Sequence, residues 1–384
     1  MSKKVKYHET FAKFLKLAIM SLLLLPFIIQ VLKLKEAYPL HGVQFSNAEK
    51  YADSLKGSEN YFNGSWQQLK SYQIQENLLI RNVSIKIRNQ IDFSLFNKVN
   101  AQNLYYYGNQ FFRFYCVDYH EGILFMGEDE IKEKVQKIKA ITYALGDSIP
   151  IITAIAPTKS YLYSDLLPEY NTKETEYSNY RYIKKTLLEN NMHCIDFNQW
   201  FMDINTTSIA PLMGTGGVHW SRYGATIAMD SLINYLNEHT NNDFKKPEWR
   251  FVQEEEVPNV NDNDAVYVSN LKCPPFDNEL RNIAYYETDS SRKKVKALIV
   301  ADSFFDVVSY FGLRNNIFTE DSKFDYYYGT QPGIGENQHL EEGIFEEYLT
   351  SVDCIIILSA VVNLENYSWG FIDEAYKRLV LEEV

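Results

Sequence analysis

The chain has 384 residues, enough for one large domain or two ordinary ones, and a hydrophobic share of 46% against 23% charged implies a globular body with a sizeable core. The net charge of −12 is unevenly spread, because residues 1–35 hold seven lysines against Glu9 alone and leave the remainder strongly acidic. An acidic body lacks the clustered cations that a phosphate backbone requires, which excludes nucleic acid as the main partner.

Read in chain order, residues 1–11 form a lysine-bearing tail. Residues 12–33 follow, and their centre, "FLKLAIMSLLLLPFIIQVL" (Phe14 to Leu32), is almost wholly apolar. About 20 apolar residues span a bilayer core as a helix. The lysines ahead of the stretch favour a cytoplasmic N-terminus, although Lys33 and Lys35 behind it weaken that bias. A cleaved signal peptide and a buried core helix are the alternatives. The stretch is long for the first, no small-x-small site follows it, and it is apolar all round. The reading is a transmembrane signal anchor, with the tail cytoplasmic and the body periplasmic or extracellular.

Residues 34–99 read as a linker with amphipathic helices. Leu79, Val83, Ile87, Ile91 and Phe96 recur at roughly helical spacing, which reads as an amphipathic helix leading into the domain. "NLYYYGNQFFRFY" reads as a hairpin turning at Gly108-Asn109. "GEDEIKEKVQKIKAITYALGD" is a helix with Ile131, Val135, Ile138 and Ile141 on one face and Gly146 just past its end. Apolar runs at "SIPIITAIAP", "MHCIDF", "KKVKALIV" and "SVDCIIILSAV" alternate with helices at "SNYRYIKKTLLENN", "SRYGATIAMDSLINYL" and "WGFIDEAYKRLVLEE". That alternation predicts an α/β fold with a mainly parallel sheet over residues 100–384. Residues 241–292, polar and proline-containing, read as an insertion. Cys116, Cys194, Cys273 and Cys354 have no metal-like spacing, and disulfides are neither required nor excluded.

In a parallel sheet, binding groups gather at the carboxyl ends of the strands. That rule selects Ser303, after "VKALIVAD"; Asn363, after "CIIILSAVV"; and Lys159, after "IPIITAIAPT". His219 and Trp220 sit between a glycine-rich loop and a helix in "GTGGVHWSRYGA". Each has a plainer role. Ser303 suits a helix N-cap, His219 a satisfied core histidine, Asn363 a turn, Lys159 a surface charge and Asp302 a turn brace. The glycines do not match a nucleotide loop, and the G-x-S-x-G elbow is absent. Neither a cofactor nor a metal is expected, since no histidine pair has ligand spacing.

Taken together, the motifs resemble a known group. "VADSF" is similar to the GDS block of SGNH hydrolases, with Ala301 in place of glycine. "GVHWSRYGA" resembles the D-x-H-W-[ST]-x-x-G-A block of the alginate O-acetyltransferase family, and "IAPTKSYLYSDLLPEY" and "LSAVVNLEN" resemble its flanking segments. The histidine block precedes the serine block, as in that family. The resemblance covers roughly residues 100–384. It implies an SGNH-like three-layer fold, an extracytoplasmic site, and acyl transfer through a serine ester. Ser303 would be the nucleophile and His219 the base, with Asn363, Lys159 and Trp220 at the oxyanion or substrate. The acceptor would be a polysaccharide, and a membrane-bound O-acyltransferase would supply the acetyl group. An esterase with the same residues, or a non-catalytic glycan-binding or scaffold protein, are the alternatives. The family's aspartate two before the histidine is Gly217 here. A Ser–His dyad oriented by a backbone carbonyl, an acid from elsewhere such as Asp196, and loss of catalysis all remain open.

Overall fold

The computed structural model describes residues 11–21, 24, 40–41, 58–76, 79–101, 103–113, 124–146, 148–168, 177–252, 260–275, 282–286, 293–328 and 345–381. They fall into two compact units, one of residues 1–101 with 267–274 and one of 102–266 with 275–384. Of the expected anchor, residues 12–21 and 24 are helical, and residues 22–23 and 25–33 lie outside the described residues. Phe14 and Leu17 are exposed. Among the described residues no helix is long and apolar enough to cross a membrane.

In the first unit, α1 (Leu79–Phe96) forms where the periodicity places it, but with a different face inward. Ile87, Ile91 and Phe96 are exposed, whereas Asn82 and Asn89 are buried. The reason is polar satisfaction: Asn89 Nδ2 donates to the Ser269 carbonyl at 2.9 Å, so an amide rather than an isoleucine faces residues 267–274.

The second unit opens with a hairpin, β1 (Leu104–Tyr107) and β2 (Gln110–Arg113). Gly108 and Asn109 both have positive φ, 52° and 65°, as a two-residue turn matching strand twist requires. Helix α2 (Glu128–Ala144) buries Ile131, Val135, Ile138 and Ile141, and Gly146 follows it at φ 78°. Then come β3 (Ile151–Ala156), α3 (Asn179–Glu189), β4 (His193–Asp196), α4 (Phe197–Ile204) and α5 (Arg222–His239). Residues 248–286 hold an antiparallel ribbon of β5 (Glu248–Val252) and β6 (Asn282–Tyr286), with the short helix α6 (Asp264–Val268) between them in sequence. The chain continues through β7 (Ala297–Ala301), α7 (Ser303–Tyr310), β8 (Lys323–Tyr326), β9 (Cys354–Ala360) and α8 (Phe371–Tyr376).

Five strands form one wholly parallel sheet in the order β4-β3-β9-β7-β8. Every residue of β3, β7 and β9 is buried, so both faces are covered, which explains their almost wholly apolar sequences, broken only by the buried hydroxyls of Thr153 and Ser359. Helices α2, α3 and α8 pack together, α7 packs on α5 and β9, and α4 packs on β3. The arrangement is α/β with helices over a parallel sheet. The last strand in sequence, β9, lies between β3 and β7, and this brings the loops after all three strands to one edge.

Candidate active site

Ser303 begins α7 directly beyond β7. Asp302 is the N-cap, with its side chain accepting from Phe304 N–H at 3.0 Å. The serine is therefore not the cap. It is the first helical residue, and its own N–H, which no helical carbonyl can reach, has no partner among the described residues.

His219 is held from several sides. Lys159 is buried at 2% exposure, and its ammonium donates to Gln110 Oε1, Phe111 O and Thr215 O at 3.0, 3.2 and 2.8 Å. Phe111 N–H also donates to Thr215 O. The hairpin and Lys159 thus pin the glycine loop. On the other side of His219, Ser221 caps α5 by accepting from Gly224 N–H and donates to Pro211 O at 2.6 Å. Gly224 is required there, because a Cβ would sit 2.3 Å from the Leu212 carbonyl. Trp220 is fully buried, donates from Nε1 to Phe304 O at 3.0 Å, and packs edge-on against Phe304.

Held in this way, His219 Nε2 lies 2.7 Å from Ser303 Oγ. Its Nδ1 lies 2.7 Å from Asp264 Oδ2, and Asp264 Oδ1 accepts from Val218 N–H at 2.9 Å. A carboxylate can only accept, so it fixes the proton on Nδ1 and leaves Nε2 free to accept from the serine hydroxyl. Burial alone pushes the imidazolium down, but the charge and hydrogen bond of Asp264, with Asp302 and Asp306 behind, outweigh it. His219 therefore titrates above its ordinary 6.5. Burial pushes Asp264 up, and the opposing pull of His219, Val218 N–H and Arg113 is larger, so Asp264 titrates below the usual carboxylate range.

The other sequence candidates are engaged as follows. Asp196 is not brought to His219: it caps α4 through Gln199 N–H and binds Tyr180 Oη and Lys184 Nζ at 2.8 and 2.5 Å. Lys159 and Trp220 spend their polar hydrogens on the protein and brace the loop and helix that carry His219 and Ser303. Asn363 Nδ2 donates to Asp302 Oδ2 at 2.7 Å, which leaves one amide hydrogen without a partner among the described residues. Residues 241–292, read as an insertion, supply Asp264.

Sequence reasoning missed Asp264 because an orienting acid needs no fixed spacing from its histidine; the two are 45 positions apart. The one local signal is the cap-like "NDND" before an apolar run. Gly217 leaves room for that segment. A Cβ there would meet the Asp262 carbonyl at 2.5 Å and Asp264 Oδ1 at 3.4 Å, so segment 262–264 fills the space that a side chain at 217 would need. Val266 N–H to Gly216 O, 2.8 Å, and Arg222 N–H to Asp262 Oδ1, 2.9 Å, fasten the segment.

No family profile matches the chain, and no curated protein matches it. Among solved structures it is similar to the O-acetyltransferase domain of Pseudomonas putida AlgJ, at 14% identity and a TM-score of 0.45, covering 72% of this chain and 99% of that one. It is also similar to Bacillus cereus PatB1, at 10% identity and 0.41, covering 64% and 93%. A third is Pseudomonas aeruginosa AlgX, at 12% and 0.42, covering 72% and 68%. Overlaps this distant assign no chemistry, which has to come from the site itself.

Proposed function

We propose that this protein is a serine-dependent acyltransferase that moves an acetyl group through a Ser303 ester to a polysaccharide hydroxyl outside the cytoplasm. The observation that carries the reading is the continuous line Ser303–His219–Asp264, with 2.7 Å at both hydrogen bonds. The resemblance of the serine and histidine blocks to polysaccharide O-acetylation proteins supports the choice of acyl group and acceptor.

In the first half-reaction, Ser303 Oγ attacks the acyl carbonyl as His219 Nε2 takes its proton, because a serine hydroxyl is a weak nucleophile without a base. Asp264 stabilises the imidazolium and holds its tautomer. The unpartnered N–H groups of Ser303 and Asn363 Nδ2 serve as donors to the oxyanion, with the N-terminus of α7 adding its dipole. Collapse expels the donor oxygen, which takes the proton back from His219. In the second half, His219 deprotonates an acceptor hydroxyl as it attacks the acetyl-Ser303 carbonyl, and collapse expels Ser303 Oγ, which takes that proton back from His219. A membrane-bound O-acyltransferase is the proposed source of acetyl groups, and residues 12–33 the proposed membrane anchor.

The test is incubation of the protein with p-nitrophenyl acetate, read by intact mass and nitrophenol release. An acetyl adduct or steady turnover that requires both Ser303 and His219 supports the reading. Neither, in folded protein, refutes it. Release to water that no glycan acceptor accelerates converts it to an esterase.

A further inference from the structure

Asp302 is more than a helix cap. It is 0% exposed, and Oδ1 accepts from Phe304 N–H at 3.0 Å. Its Oδ2 accepts two further bonds, from Ala360 N–H and Asn363 Nδ2, both at 2.7 Å. Its backbone carbonyl also accepts from Phe305 N–H. One side chain thus ties the end of β7, the first turn of α7, the end of β9 and the Asn363 amide together. All three side-chain partners are N–H donors, so only an acceptor on both oxygens satisfies them. No cation is paired with Asp302 among the described residues, and burial pushes its carboxyl above the usual range against the pull of these three N–H groups and of His219. A cap alone does not call for this, since a serine or asparagine would cap α7 without a buried charge.

On the acyl-transfer reading above, the charge has a use. We propose that Asp302 is a positioning residue of this site, an ionised brace that sets the Ser303 turn against Asn363 and supplies a second negative charge behind the His219–Ser303 pair. Asp264, Asp302 and Asp306 each act on His219 through their charge, and the ring of Phe304 packs against its edge. Attack by Ser303 turns His219 into a cation, and the buried charge of Asp302 then gains the counter-charge it lacks at rest. The same carboxylate holds one hydrogen of Asn363 Nδ2 and so fixes where the other can point.

The experiment compares Asp302→Asn with wild type and Asn363→Ala in p-nitrophenyl acetate turnover across pH, beside thermal melts. In Asp302→Asn an amide nitrogen must face an N–H donor and the charge is gone. The expected result is a fall in kcat of about 10- to 100-fold with the acid limb of the pH profile moved to lower pH. Asn363→Ala removes only a neutral donor, so its kcat falls while its acid limb stays in place. An Asp302→Asn enzyme within twofold of wild type, or one with an unmoved acid limb, overturns the proposal. If Asp302→Asn fails to fold, Asp302→Ser, which keeps a cap acceptor, takes its place. Failure of both to fold, with Asn363→Ala fully active, assigns Asp302 to folding and overturns it too. Acetylation of wild-type Ser303 tests the parent reading separately: without it that reading falls, and with it an unaltered Asp302→Asn removes only this one.

Discussion

Replacing Asp264 by asparagine is the sharpest perturbation of the site. The carboxylate has two tasks, holding the Nδ1 proton and balancing the imidazolium that forms as Ser303 attacks. Two unit charges about 4 Å apart at an effective dielectric of about 20 interact by about 4 kcal/mol. The Asp264 side chain is 29% exposed, and solvent trims the figure to about 3 kcal/mol. At 1.36 kcal/mol per decade, kcat should fall about 100-fold on charge alone. In Asp264→Asn, a side-chain amide that donates to Nδ1 moves the imidazole proton to Nε2 and deepens the loss toward about 10⁴-fold, which Asp264→Ala avoids. The assay is p-nitrophenyl acetate turnover, with a melting curve to show that the fold survives. Asp196→Asn is the matched control, because that carboxylate faces Tyr180, Lys184 and the start of α4, and its turnover should stay within twofold of wild type. A loss under fivefold in Asp264→Asn, or an equal loss in Asp196→Asn, would refute the assignment.

The pH dependence follows from the same pair. His219 must be neutral to accept a proton and titrates above 6.5, so turnover should fall below a limb lying above that value. In Asp264→Asn burial becomes the dominant influence, and the limb should move to lower pH. Stability carries the opposite sign: a raised histidine stabilises the fold fully below pH 6.5 and loses that contribution as pH rises through its folded value. Wild-type melting temperature should decline over this window, and Asp264→Asn should lack that component. Gly217→Ala tests the packing behind the acid. Its Cβ would lie 2.5 Å from the Asp262 carbonyl, which must retreat by about 0.9 Å to reach ordinary contact. A shift of that order at Asp264 should lower kcat by about 10- to 100-fold, with Ser303 in place in a crystal structure of the variant. Full activity would show that the segment yields without moving the carboxylate.

What the sequence made legible follows from which groups are constrained locally. The sheet was readable because β3, β7 and β9 are buried on both faces and carry no charged residue and only two small hydroxyls, Thr153 and Ser359. Strand β8, "KFDY", escaped because it lies at the sheet edge, where Lys323 and Asp325 break the apolar run. The buried side of α1 carries two asparagines, Asn82 and Asn89, and a buried amide such as Asn89, satisfied by the Ser269 carbonyl, leaves no apolar period to read. Ser303 needs a strand-to-helix turn with free N–H groups, and His219 needs a loop closed tightly enough to aim its ring. Both requirements write residues around them: Asp302 before the serine, and Gly217, Trp220, Ser221 and Gly224 about the histidine. The acid is less demanding. It has only to present one oxygen to Nδ1, from any segment that can pack beside the ring, so no fixed spacing from the histidine marks it in the sequence. Gly217 leaves room for residues 262–264, whose backbone lies where a side chain at that position would have to sit. A glycine two before the histidine therefore does not by itself mark a dead site, because Asp264 reaches Nδ1 from another segment.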